Sequence, residues 1–475
     1  MNSIKKNFIY NSLYQLLVIV VPLITTPYLS RILGATGIGE YSYAFSVSSY
    51  FVMFIMLGLN NYGNREVAKC RDNVNELSRI FWSIYAMQLV MGILVVSAYL
   101  VYIMSVKDRI LPVILGIYVL SGCFDVNWFC FGIEQFKFIA IRNTIIKLIS
   151  TILIFVFVKT SRDVGGYCLI ISLGQLLGAL VVWPKLIRHI NFYKPTIKEI
   201  RRHIKPNLFL FMTVVAVSLF KIMDKIMLGI ITTAEQVGFY EVAEKIIAIP
   251  TVFITSLGTV MLPRMSNLAG KGKTEENRLL YASAIFAMFM VSSLCFGIMG
   301  VSKTFVPFFY GQGYDICIVL YLILLPSCLF LGLANVVRTQ YLLPHNMDKE
   351  YVVSAFLGAF VNILINLCLI PKWGAIGAAI GTLVAEITVC VYQCYMCRKE
   401  IQFFIIIRKS LIFVIDGIIM FLILFNLKIP VENLLLKLGV QIGMGGIIYL
   451  MLLTMEVIIY KKIFKQKFFS IKNIC

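Results

Sequence analysis

The chain has 475 residues, 60% of them hydrophobic and only 14% charged, with a mean hydropathy of +0.89. Soluble domains carry about 25% charged residues, so this composition excludes an ordinary soluble enzyme or binding module. The net charge of +20, from 43 Lys+Arg against 23 Asp+Glu, therefore needs an explanation that fits a membrane protein.

The hydrophobic residues fall in blocks of roughly 20, the length at which a helix crosses a bilayer. About fourteen such blocks are expected, at 8–33, 41–62, 80–105, 110–133, 140–158, 164–187, 207–231, 237–261, 279–302, 316–342, 350–370, 374–397, 403–426 and 435–460. The first follows Lys5 and Lys6, is too long for a signal-peptide core and lacks a small-residue cleavage site, so it reads as an uncleaved helix. With the N-terminus inside and the spans alternating, about three quarters of the 43 cations fall on the even-numbered loops and the two tails, as the positive-inside rule requires. Both termini are thus expected in the cytoplasm, and the basicity calls for no nucleic acid. The longest internal polar stretch, 188–206, carries six cations, Arg188 and five from Lys194 to Lys205, with Pro195 and Pro206 bordering its basic centre. It reads as a linker lying on anionic headgroups.

That linker separates two similar sets of six spans. GIGEYSYA (Gly37–Ala44) and QVGFYEVA (Gln236–Ala243) share Gly39/Gly238, Tyr41/Tyr240 and Ala44/Ala243 at a constant offset. DVGGYCLIISLG near span six and GAIGAAIGTLVAEI near span twelve form a second pair, each opening on a Gly-rich turn. The pattern indicates a parallel duplication: a lobe over 1–187, the linker over 188–206, a second lobe over 207–397, and two added spans with a basic tail over 398–475.

Charges inside spans are costly, about 2.5–3.5 kcal/mol at the bilayer centre on insertion scales, and usually face a cavity or a partner. Span seven carries Lys221, Asp224 and Lys225; helical spacing places both lysines on one face and lets Asp224 pair with Lys221. Span eight carries Glu241, Glu244 and Lys245, with Glu241 and Lys245 four residues apart. Arg31, Glu134 and Arg338 lie near span ends, where snorkelling is the plain alternative. Asp125, Glu386, Asp416 and Glu456 complete the set. The two-to-one cationic excess on span seven suits an anionic ligand in a wet cavity. No metal or cofactor pattern stands out. His189, His203 and His345 are isolated, Cys394-x-x-Cys397 has no companion pair, and GKGKT (270–274) has Asn267 where a P-loop needs its first Gly.

The segments NFIYNSLYQLLVIVVPLITTPYLSRILGATGIGEYSYA (7–44), NYGNREVAK (61–69), FKIMDKIMLG (220–229), VGFYEVAEKI (237–246), LPRMS (262–266) and WGAIGAAIGTLVAEI (373–387) resemble the polysaccharide transporter (Wzx-type flippase) branch of the MOP superfamily, over essentially the whole chain. The resemblance implies an all-α fold of two six-helix lobes around a central cavity, plus helices thirteen and fourteen. It implies a multi-pass protein of the bacterial cytoplasmic membrane that is not an enzyme. It also implies alternating-access flipping of undecaprenyl-pyrophosphate-linked repeat units for O antigen, capsule or exopolysaccharide, beside a polymerase and chain-length machinery. The cations matching such a cavity are Arg31, Arg65, Lys221, Lys225 and Arg338, and Asp224 and Glu244 are the candidates for ion coupling. Two rivals are a multidrug or toxin extruder of the same superfamily, disfavoured by the Lys-rich span seven, and a membrane polymerase or ligase, disfavoured by short odd-numbered loops.

Overall fold

The computed structural model describes residues 17–18, 20–269 and 273–464. Among these the regular structure is all helix, with no strand. This follows from the solvent: in lipid no water satisfies a backbone N–H or C=O, and a helix satisfies them within its own segment. Among the described residues each expected span falls on helix, and eleven helical stretches are long and apolar enough to cross a membrane. The start of span one and the Gly270, Lys271 and Gly272 of the P-loop-like segment lie outside the described residues.

In the first compact unit, Met1–Gly238, the helices are α1 (20–32), α2 (Gly34–Met56), α3 (Leu59–Cys70), α4 (Val74–Ser105), α5 (Ile110–Phe124), α6 (Asn127–Gly132), α7 (Phe136–Phe157), α8 (Val164–Leu180), α9 (Trp183–Leu186), α10 (Ile197–Lys221) and α11 (Met223–Ile231). Helix α5 packs on α8 and α2, α3 on α6, and α10 on α4. Helix α12 (Ala234–Leu268) leads into the second unit, Phe239–Cys475. There α13 (Lys273–Tyr310), α14 (Ile316–Val337), a π-helical turn (Arg338–Leu342), α15 (Asp348–Trp373), α16 (Ala375–Met396), α17 (Phe403–Asn426) and α18 (Leu434–Phe464) follow. Helix α15 packs on α16, and α13 packs on α14, α17 and α18.

Three details differ from the sequence expectation. The 34–40 segment is not a loop: the chain turns at one residue, Gly34, whose φ of +69° only glycine adopts without cost, and α2 begins at once. Span four is broken at Asp125, which has extended geometry and accepts a hydrogen bond from the Asn127 amide at 2.9 Å. The carbonyls freed by that break are taken up from α4, where the fully buried Gln88 donates Nε2 to Gly122 O at 2.8 Å and Asp125 O at 2.9 Å. Its Oε1 accepts from the Trp128 indole at 3.1 Å. Asp125 is therefore a break-stabilising residue rather than a cavity charge. Third, the 188–206 segment is non-helical only to Thr196, and α10 then runs on through Pro206.

The reason for this early start is a capping box. Thr196 Oγ1 accepts from the Glu199 amide at 3.4 Å, and Glu199 Oε2 accepts from the Thr196 amide at 2.7 Å. Tyr193 Oη donates to Glu199 Oε1 at 2.9 Å, and Arg79 of α4 pairs with the same carboxylate. The Thr196 amide first, then the Thr196 hydroxyl and Arg79, hold the Glu199 carboxyl down to about 2 from its ordinary 4.5. A depressed acid stabilises above its unfolded pKa and loses that contribution as pH falls through the folded one. Hydrogen-exchange protection of residues 193–200 is thus expected to hold at pH 5 and fade between about pH 4 and pH 2. Thr196→Ala should weaken the helix start by about 0.5–2 kcal/mol at neutral pH; unchanged protection in that variant would show the cap to be idle.

Candidate functional site

The charged residues of span seven do not share one helix. Ile222 interrupts it, so Lys221 closes α10 while Asp224 and Lys225 stand in the first turn of α11. The expected Lys221–Asp224 pairing on a continuous face therefore lacks its continuous helix, and the Lys221 side chain lies outside the described residues. Asp224 is buried, 2% exposed, and Lys225 is half-buried; both make interactions with neighbouring groups. An acidic residue in the first turn also suits the positive end of the α11 dipole. Helix α11 packs on α2, the helix that follows Gly34.

Arg31 is exposed in the last turn of α1, just before Gly34, and its Nη1 donates to the Pro27 carbonyl at 3.1 Å. Arg65 sits on α3, 56% exposed, 3.6 Å from Glu66 Oε1 and over the Tyr62 ring at 5.9 Å. Tyr62 in turn meets the buried His203 of α10, Oη to Nδ1 at 2.7 Å, and burial lowers the His203 pKa. Glu134, with a positive φ of 59°, lies in the turn before α7 and ion-pairs with Arg71 at 2.5 Å. It is a surface bridge outside the spans, and that is the structural alternative realised.

In the second unit, Glu241 and Lys245 form the expected i,i+4 pair at 3.4 Å. Glu244 is half-buried on the same helix and engaged with neighbours. Arg338 opens the π-helical turn, half-buried, with its guanidinium 5.4 Å from the Tyr351 ring centroid. Such turns often mark functional positions in a helix. Around it, the side chains of Asn335 and Gln340 are buried with amide atoms that meet no protein partner. Asp416 of α17 is buried against Glu456 of α18.

The spans also bury uncharged polar residues that a count of charges does not reveal. Asn335, Gln340, Asn362 and Asn366 are all buried in apolar helices, and Asn362 and Asn366 are visible in the sequence as an i,i+4 amide pair. Arg142 of α7 was also passed over. It is 6% exposed, and it donates to Gly178 O and Asn127 Oδ1, each at 2.9 Å, and to Asn143 Oδ1. With its fork satisfied by the protein, Arg142 ties α7 to α6 and α8. The described cysteines are free thiols, including Cys394 and Cys397, and no metal-holding group of three or more His, Cys, Asp or Glu occurs among the described residues.

A family model described as polysaccharide biosynthesis protein matches residues 4–269, more than half of the chain. The chain is 23% identical over 409 residues to a putative O-antigen transporter of Escherichia coli K12, covering 84% of this chain and 97% of that one. It is 23% identical over 299 residues to a probable low-salt glycan biosynthesis flippase of Haloferax volcanii, covering 60% of this chain and 63% of that one. Among solved structures, the lipid II flippase MurJ in an inward closed conformation superposes with a TM-score of 0.79 at 18% identity, over 96% of this chain and 99% of that chain. An inward-facing multidrug-resistance MATE transporter of the MOP superfamily superposes with a TM-score of 0.56 at 10% identity, over 81% and 98%.

Proposed function

This chain belongs to the polysaccharide biosynthesis protein family, and from that premise we propose that it is a MOP-superfamily flippase carrying a lipid-linked polysaccharide repeat unit across a membrane. The observation that carries this reading is a near full-length match to a relative named as an O-antigen transporter, 97% of which is covered, on a chain made of membrane helices. Relatives named as transporters and flippases also set the polymerase or ligase reading aside.

The finer reading is that the lipid anchor is undecaprenyl pyrophosphate, that transport is by alternating access in the bacterial cytoplasmic membrane, and that Arg31, Arg65, Lys221, Lys225 and Arg338 receive the pyrophosphate and sugars. Cations suit that task because pyrophosphate oxygens accept charge-assisted hydrogen bonds. Asp224 and Glu244 are the proposed coupling carboxylates. A polymerase and its chain-length partner are the proposed neighbours downstream.

The test is complementation of a strain lacking its own O-antigen transporter. Restored surface glycan, with lipid-linked repeat units no longer accumulating, is expected. Accumulation that persists with the protein inserted would sink the proposal. Topology gives a separate check: reporters fused within 188–206 and at Cys475 should both read cytoplasmic, and a periplasmic signal from either would overturn the orientation.

A further inference from the structure

The first unit carries a cleft of about 440 Å³ where three chain turns meet: Arg71, Asp72 and Val74 before and within α4, Ile133 and Gln135 between α6 and α7, and Ile187 to Asn191 after α9. Its floor is apolar, with Leu77 and Ile190 buried at 3% and 7% exposed. Its rim carries Arg71 and Arg188 beside the exposed carboxylate of Asp72. Arg188 is exposed and forms no ion pair among the described residues. Arg71 gives Nη1 to Glu134 at 2.5 Å and has Asp72 at 4.0 Å from Nε, which leaves part of its five-donor fork. Lys185 lies next to the cleft rather than on its lining, with Nζ donating to Oε1 of the lining residue Gln135 at 2.8 Å and lying 4.2 Å from the Phe138 ring centroid.

Two further observations fit a cleft at headgroup depth. Trp82 and Trp183 stand at this end of the unit, with indole N–H groups donating to Asn191 O and Phe124 O, each at 3.0 Å, and Trp concentrates at membrane interfaces. Beside the rim, Ile187 and Phe192 are 64% and 80% exposed, a placement that fits acyl chains and glycerol rather than water.

We propose that this cleft is a binding site for the phosphate headgroup of an anionic phospholipid, seated on Arg188 and Arg71 with its glycerol end on Leu77 and Ile190. The volume is enough for one phosphate headgroup. This goes beyond the transport reading and uses none of the cations assigned to the glycan.

The experiment is native mass spectrometry of the full chain released from nanodiscs holding equal amounts of phosphatidylglycerol and phosphatidylcholine. The wild-type protein is expected to retain phosphatidylglycerol several-fold over phosphatidylcholine. Arg188→Glu should bring the two near parity, Arg188→Lys should keep most of the preference, and Lys194→Glu, exposed on the same segment outside the cleft, should leave it intact. Full preference in Arg188→Glu would overturn the proposal. So would equal loss in Lys194→Glu, which would indicate diffuse attraction to the basic segment. In a second arm, displacement of phosphatidylglycerol by undecaprenyl pyrophosphate in an Arg188-dependent manner would assign the cleft to the transported lipid and equally overturn it. Surface glycan in the complementation assay is a separate readout, so loss of lipid retention and loss of transport are told apart.

Discussion

Replacing Lys225 by Ala is expected to abolish surface polysaccharide while leaving the protein inserted at its normal level, and Arg31→Ala is expected to do the same. A pyrophosphate entering a membrane protein gives up hydration that costs several kcal/mol per ion unless fixed charges replace it. Removing one partner of a desolvated charge pair typically costs about 2–5 kcal/mol, which is a loss of affinity of about 30-fold or more. Lys225, the cation proposed for this, is half-buried and follows the buried carboxylate Asp224 in the first turn of α11. Exchange of Lys225 for Arg should keep part of the activity if charge dominates. Arg31→Lys should lose more if the planar fork grips the phosphate in bidentate fashion. The readout is surface glycan on a gel with membrane levels checked by blot. Wild-type glycan from both Ala variants at equal level would falsify the cationic-binding account and leave the family assignment standing.

The second large effect concerns folding. Gly39 and Gly238 were singled out as matching positions of a repeat, and within the first unit they are also in contact. A Cβ built on Gly39 would run into the Ala234 carbonyl and come within 2.8 Å of the Gly238 amide; one built on Gly238 would run into the Ala35 carbonyl. The first turns of α2 and of the 234–238 segment cross backbone to backbone, the close approach that small residues permit in membrane helices. Because the obstacle is main chain, it cannot swing aside as a side chain would. Gly39→Val or Gly238→Val should therefore cost at or above the top of the usual 1–3 kcal/mol for overpacking. Gly166, whose Cβ would meet nothing within 4 Å, is the control, and Gly166→Ala should be neutral or stabilising by up to about 1 kcal/mol. Detergent-solubilised yield and melting temperature decide it: Gly39→Val melting with wild type would mean that the crossing opens freely.

Much of the architecture was legible because hydropathy in lipid is a one-variable problem. A run of twenty apolar residues has few options other than helix, so span existence survived even where boundaries moved. What could not be read depends on partners far along the chain. The break at Asp125 persists because Gln88, on another helix, takes the freed carbonyls, and nothing near Asp125 announces that. The interruption at Ile222, which divides Lys221 from Lys225, carries no Gly or Pro to mark it. The capping box was present in the sequence as Thr196 and Glu199 but lay hidden in a segment read for its charge. Of the site, the Glu241–Lys245 pair was read correctly from spacing alone. Arg142 was passed over because sequence does not tell a snorkelling arginine from one whose fork is filled by Asn127, Asn143 and Gly178. Asn335 and Gln340 escaped because uncharged amides were not weighed with the charges, although leaving such a group unpaired in an apolar interior is also costly.

Reconstitution in vesicles reads the proposed transport of a lipid-linked glycan free of every other cell component. The purified chain is placed in sealed vesicles with a fluorescent undecaprenyl-pyrophosphate oligosaccharide in both leaflets, and a membrane-impermeant quencher or glycosidase is added outside. With the protein present, the inner-leaflet fraction is expected to become accessible, and vesicles holding the Lys225→Ala variant are expected to stay near half-protected, as empty vesicles do. Protection that is identical with wild-type protein, variant and no protein would contradict the account.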